Sequence, residues 1–276
     1  MIINMKYNSE LEKLFEEWIA ESKKYNEWQS VGQEAFTKDG LLEKNEPVDV
    51  EALWHASRKR ILFLLKDQPK ESEGSDDLRL WLKDKVEDSP KSLATKKKNR
   101  GLKPSFIRNI ANIFWGLYNI DSPNDCDYSK ALASFEDVKR CFNTVPFALV
   151  ESKKQRGGPY IENTKLKVYL ERYKTFLRKE LDILSPNMIV CTNWLIYGFV
   201  IDYYNEKYPD FPLRTLEGHS SIRIHPESQT LIFCSYHPSV TNYHRVDEAM
   251  FYRGVMEHYR AFLQSEYFRF FKNWYD

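Results

Sequence analysis

The sequence lacks the closely spaced cysteines that hold a structural metal or form a redox pair. Its four cysteines, Cys126, Cys141, Cys191 and Cys234, are too far apart to make a Cys-x-x-Cys motif. Zinc and iron–sulfur sites are commonly built from such pairs. We therefore expect no metal and no cofactor. Three of the cysteines lie in or beside apolar runs, which indicates buried thiols.

Long apolar runs and an excess of one charge are also missing. No stretch approaches the roughly 18 consecutive apolar residues of a membrane-spanning helix, and the N-terminus has no apolar signal region. The net charge is +1, so no overall field attracts nucleic acid and any basic surface must be local. These absences predict a soluble, cytoplasmic, monomeric protein with no membrane partner.

The chain has enough apolar sequence to build a large core. Of its 276 residues, 42% are hydrophobic and 29% are charged, which are globular values. Aromatic residues are abundant, with 7 Trp, 17 Tyr and 17 Phe. Such side chains fill cores, and they also stack on bases. No repeat or domain boundary is visible, so we expect a single domain over residues 1–276.

Short apolar runs alternate with amphipathic helical patterns along the chain. The predicted strands are 61–65, 140–150, 188–191 and 231–235, and the predicted long helices are 9–28, 104–117, 163–183, 194–204 and 247–267. Strands that alternate with helices favour parallel pairing. The sequence therefore predicts an α/β fold, a three-layer α/β/α domain with a central four-stranded, mostly parallel sheet. Residues 1–57 are expected to be a helical N-terminal extension packed on it.

Three polar residues stand at predicted strand ends. Asp67 follows the first apolar run, Asn143 interrupts the second, and His237 follows the fourth. Each residue alone has an ordinary explanation as a turn or capping residue. Parallel strands end at one edge of a sheet, where open α/β folds bind their ligands. A carboxylate, an amide and an imidazole would then share one site.

The only strongly basic run, from Lys91 to Lys103, comes directly before a predicted helix N-terminus at Pro104-Ser105. Most charge runs are solvated linkers. A helix N-terminus beside a basic loop also favours a phosphate group. Both interpretations remain open for this run.

Four stretches together resemble the uracil-DNA glycosylase superfamily, in the same order as in that family. They are Ile61–Pro69, Lys103–Ile110, Phe142–Val145 and Ser235–Ser239, the last followed by Tyr243-His244-Arg245. They are similar, in turn, to the strand that ends in a water-activating Asp, the Pro-Ser phosphate loop, the strand whose Asn reads uracil, and the His-Pro-Ser loop. The likeness spans about residues 58–262.

The resemblance implies a DNA glycosylase, a hydrolase of base excision repair that cleaves the N-glycosidic bond of uracil or a related deaminated base. Asp67 would activate water, His237 would stabilise the departing base, and Asn143 would read its edge. The other residues expected to contact the base are Gln68, Phe147 and Trp81, the last two by stacking. Those expected to bind DNA are Ser105, Ser239, Lys66, Lys103 and Arg245. The expected partner is single-stranded or damaged duplex DNA.

The sequence departs from the best-known branch of that family in two places. Gln68-Pro69 follows Asp67, without the Tyr that excludes the thymine methyl group, and Thr241 stands where a Leu normally enters the minor groove. Without that apolar wedge, a paired base would be hard to extrude. Two other functions therefore stay open. One is a non-catalytic nucleic-acid-binding protein of the same fold, and the other is an unrelated α/β enzyme acting on a small nucleotide or sugar.

Overall fold

The structure is a computed structural model that describes most of the chain. The described ranges are 7–25, 36–44, 48–69, 77–81, 104–157, 161–240, 246–271 and residue 274, with the backbone alone for residues 67–69, 81, 104, 156 and 157. The predicted basic run from Lys91 to Lys103 lies outside these ranges.

The described residues form one mixed sheet of seven strands. The strands are β1 (Gly40–Leu41), β2 (Ile61–Pro69), β3 (Ala148–Gly157), β4 (Met188–Cys191), β5 (Arg214–Leu216), β6 (His219–His225) and β7 (Thr230–Cys234). Their order across the sheet is β1-β3-β2-β4-β7-β6-β5. The four central strands, β3, β2, β4 and β7, pair in parallel. The outer strands β1, β6 and β5 pair antiparallel. The α/β prediction is confirmed, but the prediction of four strands is wrong, because three antiparallel strands extend the sheet at its edges.

Helices cover both faces of the sheet. On one face, called the α4 face, the helices are α3 (Leu78–Trp81), α4 (Pro104–Asn119), α5 (Tyr128–Ala133), α6 (Phe135–Thr144) and α10 (Glu248–Gln264). On the other, the α9 face, they are α1 (Tyr7–Lys23), α2 (Val50–Ala56), α7 (Asn163–Arg172), α8 (Lys174–Leu184) and α9 (Trp194–Lys207). Two short 3-10 helices, Pro123–Asp125 and Glu266–Phe270, follow α4 and α10.

The central strands are apolar because they contact helices on both sides. In β2, Phe63 and Leu65 belong to the core of the α4 face, whereas Leu62 and Leu64 belong to the core of the α9 face. This alternation is the ordinary period of two of a strand. It follows that neighbouring residues at the end of each strand are presented to opposite faces.

A buried lysine fixes the C-terminus of α4. Lys59 Nζ donates to the carbonyl oxygens of Leu117 at 3.0 Å and Tyr118 at 3.1 Å, and to Asp121 Oδ1 at 2.6 Å. The last carbonyls of a helix carry partial negative charge and have no partner within the helix. Lys59 therefore stabilises the C-terminus of α4 close to the start of β2. The N-terminus of the same helix is thereby directed toward the opposite edge of the sheet.

A second buried lysine joins the N-terminal region to the sheet. Lys154 in β3 lies 2.6 Å from both carboxylate oxygens of Asp39 and 2.7 Å from Glu180 Oε2 in α8, and all three side chains are fully buried. Its Nζ also lies 5.5 Å and 5.2 Å from the ring centroids of Phe15 and Trp18 in α1. Asp39 precedes β1, which adds a strand next to β3. The described part of the first 57 residues thus contributes a strand, two helices and a buried charge.

Two predicted elements need correction. The stretch 140–150, predicted as a strand, is the end of α6 followed by the start of β3. Strand β3 then continues beyond the predicted stretch, to Gly157. The helix predicted over 163–183 is two helices that meet at Tyr173. Within the described ranges, no helix is both long and apolar enough to cross a membrane.

Candidate functional site

The four parallel strands end at one edge of the sheet, called here the carboxyl edge. Asp67 near the end of β2 is in register with Lys153 of β3, and Cys191 at the end of β4 is in register with Cys234 of β7. The pairing continues one residue further, because the N–H of Ser235 donates to the carbonyl of Cys191 at 2.8 Å. The backbones at Asp67 and Ser235 therefore lie at the same edge, as predicted.

His237 lies at this edge on the α4 side. Its half-buried ring packs against Phe106 of α4, with ring centroids 5.6 Å apart. The backbone N–H of Ser239 donates to Nδ1 of His237 at 3.2 Å. A backbone amide can only donate, so Nδ1 carries no proton, and the proton of the neutral ring is on Nε2. Among the described residues, Nε2 has no hydrogen-bond partner.

Burial and the nearby charge of Lys66 lower the pKa of His237 to about 4. The imidazole is therefore neutral at physiological pH. It offers an N–H donor without a positive charge, which suits an oxygen on which negative charge develops.

The loop that carries His237 is attached to the first turns of α4. Nδ2 of the buried Asn109 donates to the carbonyl of Pro238 at 2.7 Å. Ser105 is half-buried in the first turn of the same helix. The N-terminal end of α4 thus approaches the carboxyl edge, and its partial positive charge favours an anion there.

Lys66 adds a full positive charge at the end of β2. Its side chain is half-buried and lies close enough to His237 to affect the pKa of the imidazole. The backbone of Asp67 and Gln68 is described, but their side chains are not. The geometry therefore places these two residues at the carboxyl edge without defining their contacts.

The structure does not bring Asn143 to this edge. Asn143 lies in the last turn of α6, before β3 begins, and therefore at the amino edge of the sheet. Ala148, the first residue of β3, pairs with Leu62, five positions before Asp67. At about 3.3 Å per residue, the start of β3 and Asp67 are roughly 17 Å apart along the sheet. Asn143 cannot share a base-sized pocket with His237.

Phe147 is also wrongly predicted as a stacking residue. It is fully buried at the amino end of β3, where its ring lies 4.7 Å from that of Phe114 and 5.1 Å from that of Phe142. Nζ of Lys44 lies over its face, 4.4 Å from the ring centroid. Because protein side chains surround its ring, Phe147 is a core residue and cannot contact a base.

A cleft at the amino edge is a less suitable site. It has a volume of about 380 Å³ between α4 and α6. The lining residues are Trp115, Asn119, Asp137, Arg140, Cys141, Thr144 and Val145. Burial raises the pKa of the Cys141 thiol to about 11, so the potential nucleophile in this cleft is protonated and unreactive.

Some predicted residues cannot be assessed at this site. The side chain of Trp81, at the end of α3, is not among those described, and Lys103 and Arg245 lie outside the described residues altogether. Ser239 is half-buried beside His237. Of the predicted DNA-binding residues, Lys66, Ser105 and Ser239 therefore lie at the carboxyl edge.

Glu151 is not among the predicted site residues, because the residues from 151 onward are polar and have the composition of a loop. Glu151 lies in β3, in register with Leu65, and only 5% of its surface is exposed. Its neighbours in β3, Val150 and Leu149, face α9 and α4 respectively. By strand alternation Glu151 faces α4, the side on which His237 lies. It is a buried carboxylate near the carboxyl edge.

The site combines hydrogen-bond donors with positive potential. It contains a neutral imidazole, a lysine and a helix N-terminus. Within the described ranges, no group of three histidine, cysteine or acidic side chains is placed to hold a metal ion. The arrangement is suited to binding an anionic ligand and to stabilising negative charge on an oxygen atom.

A scan against models of protein families finds no match to this chain. A search of curated proteins finds no match either.

Proposed function

We propose that this protein is a DNA glycosylase that hydrolyses the N-glycosidic bond of uracil or a related deaminated base. The observation that carries the proposal is the neutral His237 at the carboxyl edge, whose Nε2–H has no hydrogen-bond partner within the described part of the chain. Cleavage of a glycosidic bond leaves negative charge on the departing base. The neutral imidazole can stabilise an oxygen of that base by donating a hydrogen bond from Nε2–H. No proton has to be transferred first.

The opposite charge develops on the sugar. We assign its stabilisation, and the orientation of the attacking water, to the carboxylate of Asp67. Support for this assignment is the backbone position of Asp67, which is at the same edge as the loop of His237. Glu151 is a second carboxylate on the α4 side.

Lys66, Ser105 and Ser239 would bind phosphate groups at this edge, together with the N-terminus of α4. Lys103 and Arg245 remain proposed members of the same DNA contact. On this proposal the four parallel strands and their helices are a uracil-DNA glycosylase-like domain, to which residues 1–57 belong as an extension.

The second candidate is a nucleic-acid-binding protein of the same fold without catalytic activity. A specific observation favours it. Asn143 and Phe147, expected to read and stack the base, lie at the amino edge instead. The part of the site that would bind the base is therefore unassigned, whereas the phosphate-binding part is supported by Lys66 and by the position of α4.

Product formation distinguishes the two candidates. Single-stranded and duplex oligonucleotides carrying uracil, hypoxanthine or xanthine are incubated with the protein and then cleaved with alkali at abasic sites. A glycosylase releases abasic product from at least one substrate. No product from any of them would falsify the glycosylase proposal and leave the binding protein.

Two variants test the assignment. Asp67→Asn should lower turnover at least roughly 10²-fold, because an amide cannot stabilise the positive sugar. DNA affinity should be little changed. The matched control is Asn143→Ala at the amino edge, which should keep wild-type turnover. Unchanged turnover in Asp67→Asn would remove this residue from the mechanism.

A further inference from the structure

Two aromatic side chains at the carboxyl edge are unusually exposed. Trp194 is 61% exposed and Tyr236 is 64% exposed, the highest values for aromatic residues in the described part of the chain. Trp194 is the first residue of α9, three positions after β4, and Tyr236 is two positions after β7. Because β4 and β7 are paired neighbours, the two rings stand on adjacent strand ends.

Trp194 begins α9 itself, and strand alternation puts Tyr236 on the same side of the sheet. Cys234, the last residue of β7, packs against the core of the α9 face, and Phe233 belongs to the core of the α4 face. The strand pairing persists through Ser235, so Tyr236 has the same orientation as Cys234. Tyr236 and His237 therefore face opposite sides of one strand end, the tyrosine toward α9 and the histidine toward α4.

An arginine contacts the first turn of the helix that begins with Trp194. The guanidinium of Arg223 lies 5.7 Å from the ring centroid of Tyr197, which is one helical turn after Trp194. It donates to the hydroxyl of Tyr197 at 3.2 Å and to the carbonyl of Ser220 at 2.8 Å. No carboxylate forms a salt bridge with Arg223 in the described ranges. Its positive charge is therefore available for an anion.

Exposed rings next to a cation that no acidic side chain neutralises match one kind of ligand well. Bases stack on aromatic side chains with little sequence preference, and arginine binds the phosphates that join them. A protein partner would more often meet a contiguous apolar patch, whereas here the positive charge of Arg223 lies beside α9. A nucleic acid strand whose bases are unpaired satisfies both features.

We propose that Trp194, Tyr236 and Arg223 form a stacking platform for the bases of a single strand that flank the nucleotide held at His237. The platform rests on the proposed function, because that function places a nucleic acid strand at the carboxyl edge. It also specifies the substrate: a paired duplex cannot stack its bases on the two rings, so single-stranded DNA is preferred.

Binding measurements with two probes test the platform. One probe is a fluorescein-labelled oligothymidine of about twelve nucleotides, and the other has the same length and charge but carries abasic sugars in place of nucleosides. The wild-type protein should bind the oligothymidine more tightly. Trp194→Ala and Tyr236→Ala should each weaken oligothymidine binding by roughly 5- to 150-fold, with little effect on the abasic probe.

Matched variants separate stacking from folding. Trp194→Phe and Tyr236→Phe keep a ring and should retain most of the affinity. Phe270→Ala removes another exposed ring, 45% exposed in the C-terminal 3-10 helix, and should change nothing. Arg223→Gln should reduce the dependence of affinity on salt by about one counterion. Equal affinity of the alanine variants and the wild type for oligothymidine would overturn the platform.

The abasic-product assay on the same preparations separates this proposal from the proposed function. Product formation with unaltered binding in the alanine variants would refute the platform and leave the glycosylase standing. Ring-dependent binding without any product would leave the platform and refute the glycosylase. A wild-type protein that binds neither probe and forms no abasic product would refute both.

Discussion

The backbone N–H of Ser239 donates to Nδ1 of His237 at 3.2 Å, and this one contact determines which ring nitrogen can donate to a ligand. Since Nδ1 accepts, the only ring proton of the neutral form is on Nε2. The loop is held in turn by Asn109, which donates to the carbonyl of Pro238 at 2.7 Å. The position of the donor is therefore set by α4 as well as by β7.

Replacing His237 by glutamine should lower turnover on the best oligonucleotide substrate by roughly 10²- to 10³-fold. Glutamine has an N–H donor, but it lacks the ring that packs against Phe106 and the Nδ1 acceptor for Ser239. Single-turnover rates at saturating protein measure the chemical step directly. Affinity for the uncleaved strand should change little, and an equal loss of affinity and rate would indicate a binding role instead.

The stability of the wild-type protein should fall on acidification because of His237. The pKa of His237 is about 4 in the folded protein, below its ordinary value of 6.5. Between these values the unfolded chain binds the proton and the folded protein does not, so this contribution to stability is complete above about pH 6.5 and is lost as the pH falls through 4. Urea unfolding across this range should show a smaller pH dependence in His237→Gln. Identical profiles for the two proteins would contradict the shifted pKa.

Lys44 should make stability rise on the alkaline side. Burial lowers its pKa to about 7 from 10.5, although its Nζ donates to the carbonyl of Phe142 at 2.9 Å. Between these values the unfolded chain holds a proton that the folded protein has released, so the free energy of unfolding increases with pH by up to about 1.4 kcal/mol per pH unit.

The Lys44→Met variant should lose this slope, which urea unfolding at about pH 7 and about pH 9 measures. Lys165→Met is the matched control, because the side chain of Lys165 is 73% exposed. A wild-type slope that survives in Lys44→Met would show that other groups cause it.

Removing Lys154 should strongly destabilise the fold. Lys154→Met leaves the carboxylates of Asp39 and Glu180 buried together without a cation, and breaking a buried ion pair in this way costs about 3–5 kcal/mol. The free energy of unfolding from urea denaturation measures the loss. The exposed pair between Lys174 and Glu171 provides the comparison, since Lys174→Met should cost less than about 1 kcal/mol. Similar losses in the two variants would argue against a structural role for the buried cluster.

The central strands could be predicted because their physical signal is local. Five apolar residues between charges, 61–65, lie in β2, and similar runs lie in β4 and β7. Such runs need helices on both faces to bury them, and the alternating helical patterns provide these. The edge strands β1 and β5 have two and three residues, too few to show a period.

The predicted position of Asn143 is wrong because residues 140–144, predicted as part of a strand, are the end of helix α6. Val138, Cys141 and Phe142 are spaced as on one helical face, and Glu136 and Asp137 lie in the first turn, where acidic residues are favourable. Pro146 restricts Val145 to an extended conformation, and the helix ends before it.

Strand β3 could not be recognised from its own residues. Its second half, with Glu151, Lys153 and Lys154, has the composition of a loop. Lys154 is buried only because Asp39 and Glu180 neutralise it, and neither is near it in the sequence. Glu151 lies in the same polar half of β3, so its burial could not be predicted either. It is the buried carboxylate near the carboxyl edge.

The buried cluster of Asp39, Lys154 and Glu180 also limits the order in which parts of the protein can fold during synthesis. Asp39 is synthesised first, Lys154 appears 115 residues later, and Glu180 another 26 residues after that. A nascent chain that stops short of α8 has only part of this charge arrangement, so β1 and α1 cannot reach their final environment until α8 has emerged. The segment of α1 and β1 thus leaves the ribosome before α8 but reaches its final environment only afterwards, and it is exposed to chaperones and proteases in the meantime.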